Sequence, residues 1–532
     1  MNSETRPDPI GIALVLAGLL CALVLAWSPV DHTIGRFIYD DMFYYLNVAE
    51  NLAAGNGSSF DGVTSTNGYH PLWMAITTGL ALAFSGDMLV HAALTLAALL
   101  HAAQGLLLLR MMRRVASPAV ALALTALYLL NWRTLANNLC GLETALATTM
   151  ALVVVDRLMT WPVRPTAANA AVLGALAGLA ALSRFDLLLL AGLAGLWVVF
   201  SPRYAPDVTR SRRMQLGIAM GLATALVVAL WFPFSLAVSG TFLPNSREAV
   251  KLLTGVGYDY GNLAQMREVF VGQIWSFVWW ATDFANLFGL YPVISPEGRG
   301  MLVASGLVLL LFLGVLAILV AGRREPRAYL ALIPLAYVAV HFAYYGVFHR
   351  VETRYVLPAI ALFFVPLAFA VDRVRIGLAG WGGRILVPVF LVAATFATVA
   401  GVAAYSAGHA SVRVHRYHYV ARDMARWLAE NHPGARTAAW NAGILGFYSD
   451  TVLFNLDGVI NDEALAANRE RRIDDYILDR GIEFVVEEPT QMADNLARFA
   501  ARPDDLGWLG PVVHESRDAQ GRVIVARQVL RD

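Results

Sequence analysis

Apolar stretches long enough to cross a bilayer recur along most of this chain, and they leave room for little except a helical membrane bundle. In hydrocarbon every backbone N–H and C=O must find its partner within the protein, which selects helices over open sheets or loops. Candidate spans fall at residues 10–28, 88–109, 116–132, 141–157, 168–183, 186–200, 214–236, 301–321, 328–346, 355–372 and 385–405. Most approach the roughly 17–25 apolar residues that a helix needs to traverse ~30 Å of hydrocarbon. With 58% hydrophobic and only 15% charged residues, the chain is excluded from the ordinary soluble classes. A net charge of +1, without a basic patch interleaved with aromatics, gives no sign of a nucleic-acid partner. Cys21 and Cys140 do not make a disulfide framework.

Arginine placement sets the expected topology. The stretch 71–84, PLWMAITTGLALAF, is short for a span and fits an interfacial or re-entrant helix. If it does not cross, one face collects Arg6, Arg110, Arg113, Arg114, Arg157, Arg164, Arg203, Arg210, Arg212, Arg213, Arg323, Arg324, Arg327, Arg373, Arg375 and Arg384. That asymmetry is the positive-inside pattern. It predicts about eleven spans, with the N-terminus inside as a retained signal anchor and the C-terminus outside. Loops 29–87 and 237–300 then face outward, and the Trp-rich stretch 274–288 is expected at the interface. The organisation read from this is a membrane domain over 1–409 and an extracytoplasmic α/β domain over 410–532.

That tail departs from the apolar pattern. It reads as helix (413–431), strand (436–440), helix (442–449), strand (451–456), helices (461–480), strand (482–487), helix (489–501) and two late strands near 511–516 and 522–527. Such alternation argues for a small α/β domain. It lacks a G-x-G-x-x-G fingerprint; Asn441-Ala-Gly-Ile-Leu-Gly446 offers only a glycine pair.

Charged residues gather on the expected outer face, against the arginine bias. Asp40–Asp41 follows the first span, and a glycine-rich polar loop leads on to Asn67, His70 and Trp73. Gly141-Leu-Glu143, Arg184-Phe-Asp186 and His349-Arg350-Val-Glu352-Thr-Arg354-Tyr355 sit at span ends, and Leu243-Pro-Asn245 leads to Lys251, the single lysine. Arg247 and Lys251 are four apart and share one helix face. Carboxylates beside arginines at one membrane surface suit an anionic substrate with a general base next to it.

In order and spacing these motifs resemble the GT-C superfamily of glycosyltransferases, polytopic enzymes that use polyprenyl-phosphate-linked sugars. The resemblance rests on the acidic pair, Ala49–Gly57, Thr66-Asn-Gly-Tyr-His-Pro-Leu-Trp73, Gly141-Leu-Glu143, Arg184-Phe-Asp186, Leu243-Pro-Asn245 with Lys251, and Arg354-Tyr-Val-Leu-Pro358. Among GT-C enzymes the chain most resembles the mycobacterial arabinofuranosyltransferases. The resemblance implies an inverting transfer from a polyprenyl-phosphate sugar to an extracytoplasmic glycan, lipid or protein, at a bacterial inner membrane. Asp40 matches the catalytic aspartate, with Asp41 orienting the acceptor or helping to hold a metal. Arg354, Arg184, Lys251 and Arg350 are the candidates for the donor phosphate. Asn67, His70, Glu143, Asp186, Asn245, His349, Glu352 and Tyr355 are the substrate-binding candidates. Asp40 and Asp41 are hard oxygen ligands that would suit Mg²⁺, Mn²⁺ or Ca²⁺. The competing readings are a polymerase or ligase acting on diphosphate-linked lipids, a lipid or glycan transporter, and a non-enzymatic sensor. A transporter would place its charges near mid-bilayer in repeated halves, and neither feature is present.

Overall fold

The computed structural model describes residues 9–200, 208–254, 278, 299–347, 353–378 and 416–531, with scattered positions between 380 and 403. Each of the first ten expected spans has a helix. By length and hydropathy Pro9–Ala26, Gly86–Arg113, Arg210–Ser239, Pro326–Tyr345 and Arg354–Gly377 can each cross a membrane, so this is a multi-pass membrane protein. Thr144–Met159, Ala167–Ser183, Phe185–Phe200 and Ser305–Ala321 are shorter apolar helices among them. The span expected at 116–132 is instead a bent pair, Pro118–Leu129 and Trp132–Asn138, meeting at 59°. Asn131 makes that corner by accepting the Arg133 N–H at 2.8 Å, a cap that starts a new helix where one continuous span was expected. Pro71–Ala81 is eleven residues long and half-exposed, in keeping with a segment that does not cross. Of the interfacial stretch 274–288, all but Val278 lies outside the described residues.

Small residues allow the closest helix contact. Gly174 and Gly178, four apart, face Arg210–Ala229; a Cβ on either would overlap the backbone or side chains of Met220 and Val227. Without a hydrophobic force between helices in lipid, such close backbone approach supplies the packing.

The tail is a five-stranded sheet in the order β2-β1-β3-β5-β4, where β1 is Arg436–Ala439, β2 Val452–Asn455, β3 Phe484–Glu487, β4 Leu509–Arg517 and β5 Val523–Val529. β1 pairs in parallel with β2 and β3; β5 pairs antiparallel with β3 and with β4. One sheet face carries its own core around Phe454, Val485 and Ile477. The other shares an apolar cluster with the membrane domain: Met424, Leu428, Ile444 and Leu445 pack with Met42, Phe43, Leu46 and Trp73. The chain from Asp40 to Ala53 is a helix lying between the two domains, and the segments that follow β1 and β2 reach it through Gly443, Ile444 and Asp457.

Candidate active site

Polar side chains of the Asp40–Ala53 helix divide between the domains. Asp40 faces the tail. Its two carboxylate oxygens accept the N–H groups of Gly443 (2.9 Å) and Ile444 (2.8 Å), the start of the helix that follows β1. A backbone N-terminus favours an anion there. Burial pushes the carboxyl up to about 7 all the same, opposed by those two N–H donors and assisted by the charges of Asp41 and Glu487. A Cβ at position 443 would overlap the Asp40 carbonyl oxygen, so only glycine fits this contact.

Asp41 faces the membrane helices and retains 45% side-chain exposure. Its Oδ2 accepts from the Arg354 guanidinium at 2.9 Å. Arg354 is buried, and its charge lies over two tyrosine faces, Tyr39 at 4.7 Å and Tyr355 at 5.1 Å. Arg184 stands over the same Tyr355 ring at 4.9 Å and donates to the Arg354 carbonyl at 3.2 Å. A fork from Arg184 to Asp186 (3.1 and 2.9 Å) fixes its plane. Tyr345 closes this network: its hydroxyl accepts from Arg184 at 2.7 Å and donates to Asp186 at 2.6 Å. His341 Nε2 lies 3.0 Å from the Tyr355 carbonyl oxygen, and its ring packs against that of Tyr345.

A second group adjoins the first. Glu143 is buried and accepts the Tyr45 hydroxyl at 3.2 Å, and the Tyr45 oxygen accepts the His70 backbone N–H at 3.0 Å. His70 Nε2 lies 3.8 Å from Glu143 Oε1. Burial, with Arg184 and Arg354 nearby, holds the imidazole below its ordinary value against the pull of Glu143 and Asp186.

The sequence candidates therefore separate. Asp41, Arg354, Tyr355, Arg184 and Asp186 form one network; Glu143 and His70 border it. Asn67, expected at the substrate, spends its side chain on structure: it donates to Ser235 (2.8 Å), Thr241 (2.9 Å) and the Leu243 carbonyl (3.3 Å), and accepts the Asn245 N–H at 2.9 Å. Asn245 in turn receives the Thr241 hydroxyl. Lys251 lies on Ser246–Thr254 with its ammonium 3.0 Å from Glu248, and Arg498 of the tail binds the Leu252 and Leu253 carbonyls at the end of that helix. His349, Arg350 and Glu352 are outside the described residues. A cation held by Asp40 and Asp41 would compete with Gly443, Ile444 and Arg354, and among the described residues no three His, Cys, Asp or Glu side chains group to hold a metal ion. Tyr44, Tyr345, His341, Asp457 and Glu487 were absent from the sequence candidates. His341 carried a usable signal, an ionisable side chain inside an apolar span; Asp457 follows a short strand and reads as an ordinary turn, and Glu487 ends one and reads as a strand residue.

The chain is similar to the crystal structure of ArnT from Cupriavidus metallidurans in the apo state, at 15% identity and a TM-score of 0.58, covering 97% of this chain and 98% of that one. ArnT bound to undecaprenyl phosphate matches over the same extent with a TM-score of 0.57. The Archaeoglobus fulgidus oligosaccharyltransferase, in complex with Zn and sulfate, matches at 13% identity and a TM-score of 0.54, covering 95% of this chain and 72% of that one. The fold is thus the GT-C fold, carried by a polytopic helical domain with a C-terminal α/β domain. A family model described as a domain of unknown function (DUF8728) matches residues 407–520, most of the tail. No curated protein matches the chain.

Proposed function

We propose that this protein is a membrane glycosyltransferase that moves a sugar from a polyprenyl-phosphate donor to a hydroxyl of an acceptor at the tail-facing side of the site. The observation that carries the reading is the 2.9 Å pair of Asp41 and Arg354, on a fold shared with a protein crystallised with undecaprenyl phosphate. In this structure Arg354 is paired with Asp41. An arriving donor phosphate is a stronger partner for a guanidinium that is already desolvated and stacked. It would take Arg354 over, with Arg184 behind it, and release the exposed Asp41 carboxylate to act as base.

The chemistry then balances simply. The acceptor oxygen forms a bond to the anomeric carbon from the face opposite the phosphate. The anomeric C–O bond to phosphate breaks, and its electron pair leaves on polyprenyl phosphate. The acceptor proton goes to Asp41. A carboxylate is a weak base, so proton transfer is late and the sugar carries much positive charge at the transition state. Arg354 and Arg184 stabilise the leaving anion, which needs cations more than it needs an acid. His70 borders the phosphate position through Glu143. Asp40, clasped by the tail, positions its neighbour. No step in this scheme passes through a divalent cation. We place the reaction on the extracytoplasmic side of a bacterial inner membrane, following the arginine asymmetry.

The test is release of free polyprenyl phosphate by the purified protein in lipid, given a panel of polyprenyl-phosphate sugars that includes the arabinosyl donor favoured by the sequence resemblance. Asp41→Asn is expected to bind donor and lose transfer. Arg354→Ala is expected to lose about 100-fold or more in turnover, the size of losing one transition-state donor. Equal release from wild type and Asp41→Asn sinks the base assignment. Silence with every phosphate-linked sugar, and release from a diphosphate-linked lipid instead, favours the polymerase or ligase reading.

A further inference from the structure

Beyond β2 the chain makes a rigid turn that lies against the site. Asp457 Oδ1 accepts the Val459 N–H at 2.7 Å, and Asn455 Oδ1 accepts the Gly458 N–H at 3.0 Å while its amide donates to the Trp440 carbonyl at 3.3 Å. Two parts of the membrane domain grip this turn. The Val459 carbonyl rests on Gly68, where a Cβ would overlap it, so the Thr66-Asn-Gly motif has a packing role. From the other side Tyr44 reaches the Trp440 carbonyl (3.3 Å) and approaches Asp457 Oδ2 (3.5 Å). Tyr44 is three residues beyond Asp41, hence on a neighbouring face of one helix. Asp457 keeps part of its surface exposed.

The site is therefore asymmetric. Arg184 and Arg354 come from the membrane helices, whereas Asp457 comes from the tail. The groups acting on Asp457 are Asp40, Asp41 and Tyr44 from the helix opposite, with Asn455 and Val459 from its own turn. Burial raises its carboxyl to about 7, and the two aspartates add to the rise. A carboxylate held by backbone on one oxygen, with the other turned toward a tyrosine hydroxyl, is built to accept further hydroxyl donors.

We infer that Asp457 is the acceptor-side carboxylate of this site, which together with Asp41 receives adjacent hydroxyls of a neutral, polyhydroxylated acceptor, a sugar residue of a glycan, and turns away an acceptor that presents a phosphate. The inference rests on the transferase reading above and adds the acceptor's class to it. Asp457 is a binding and specificity residue; the proton still goes to Asp41. Selectivity arises from the repulsive element as much as from the attractive one.

The experiment uses the full chain in lipid with whichever donor of the panel it turns over. The acceptor probes are a neutral octyl glycoside and the same glycoside carrying a 6-phosphate. Wild type is expected to prefer the neutral probe. Asp457→Asn is expected to raise the KM of the neutral probe about tenfold or more and to shrink its preference over the phosphorylated probe about tenfold. Asp457→Glu keeps the charge and should keep the preference even if its KM rises, which separates charge from a disturbed turn. An unchanged acceptor KM in Asp457→Asn, a lost preference in Asp457→Glu, or a wild type that favours the phosphorylated probe overturns the assignment while the transferase reading stands. A wild type inert with every donor overturns that reading, and the assignment with it.

Discussion

Replacing Gly443 with alanine tests whether the tail is a working part of the site. The new Cβ would sit on the Asp40 carbonyl oxygen and 2.9 Å from the Asp40 Cγ and Oδ2. Ordinary contact needs several tenths of an ångström more at the side chain and about 1 Å more at the carbonyl. The helix start must back away by that amount, and the hydrogen bonds at 2.9 and 2.8 Å cannot both survive. A hydrogen bond to a carboxylate contributes about 1.5–3 kcal/mol when charged and about 0.5–1.5 when neutral, so losing one of the two costs roughly 0.5–3 kcal/mol. The tail does not fall off, because Arg422 and Arg426 bind Asp31 (2.7 and 2.8 Å), Tyr448 donates to Asp87 (2.7 Å), and His418 meets the Ile34 carbonyl (2.7 Å). What moves is the edge nearest Asp41, and a misplacement near 1 Å at a reacting group costs about 100-fold in rate. Trypsin release of the tail should quicken modestly and sugar transfer should fall by that larger factor. Wild-type transfer and wild-type proteolysis together would refute both the close contact and the coupling argued from it.

Two further expectations follow from buried polar groups. Asp40 and Asp457 are both lifted from an ordinary 3.8 to about 7 in the folded protein. Between pH 4 and 7 the folded state then holds more protons than the unfolded one, so their contribution to stability is complete below pH 4 and is lost as pH rises through 7. The thermal midpoint of tail unfolding should drop between pH 5 and 8, and the Asp40→Asn, Asp457→Asn double variant should flatten that drop; an unaltered slope sinks the assignment. Asn67→Ala strands the partners of four hydrogen bonds in a buried seam and should destabilise by about 2–4 kcal/mol, seen as a lower melting midpoint in detergent. A melting curve like wild type's would return Asn67 to the substrate.

The sequence exposed some of this and hid the rest for a physical reason. The tail's elements were legible because each is local: alternating apolar runs end at Gly434, at the Asn461 cap and at Glu488-Pro489, and the helices and strands start or stop there. Arg184, Asp186 and Arg354 were legible as charges at span ends on one face. Asp40 had a recognisable type and position but the wrong neighbour in view, because its partners lie 403 and 404 residues later and nothing local announces them. The partners of Asn67 were hidden for a related reason: a polar residue among glycines shows nothing of Ser235 and Leu243 until folding brings them to it.

That separation along the chain also sets a clock. At synthesis rates of about 5–20 residues per second, some 20–80 s pass between the appearance of Asp40 and that of Gly443. During this interval the membrane helices can insert and Arg184 can meet Arg354, yet the face that holds Asp40 and carries Asp457 does not exist. On the function proposed above, the cationic pair for the donor would thus be assembled well before the acceptor side of the site.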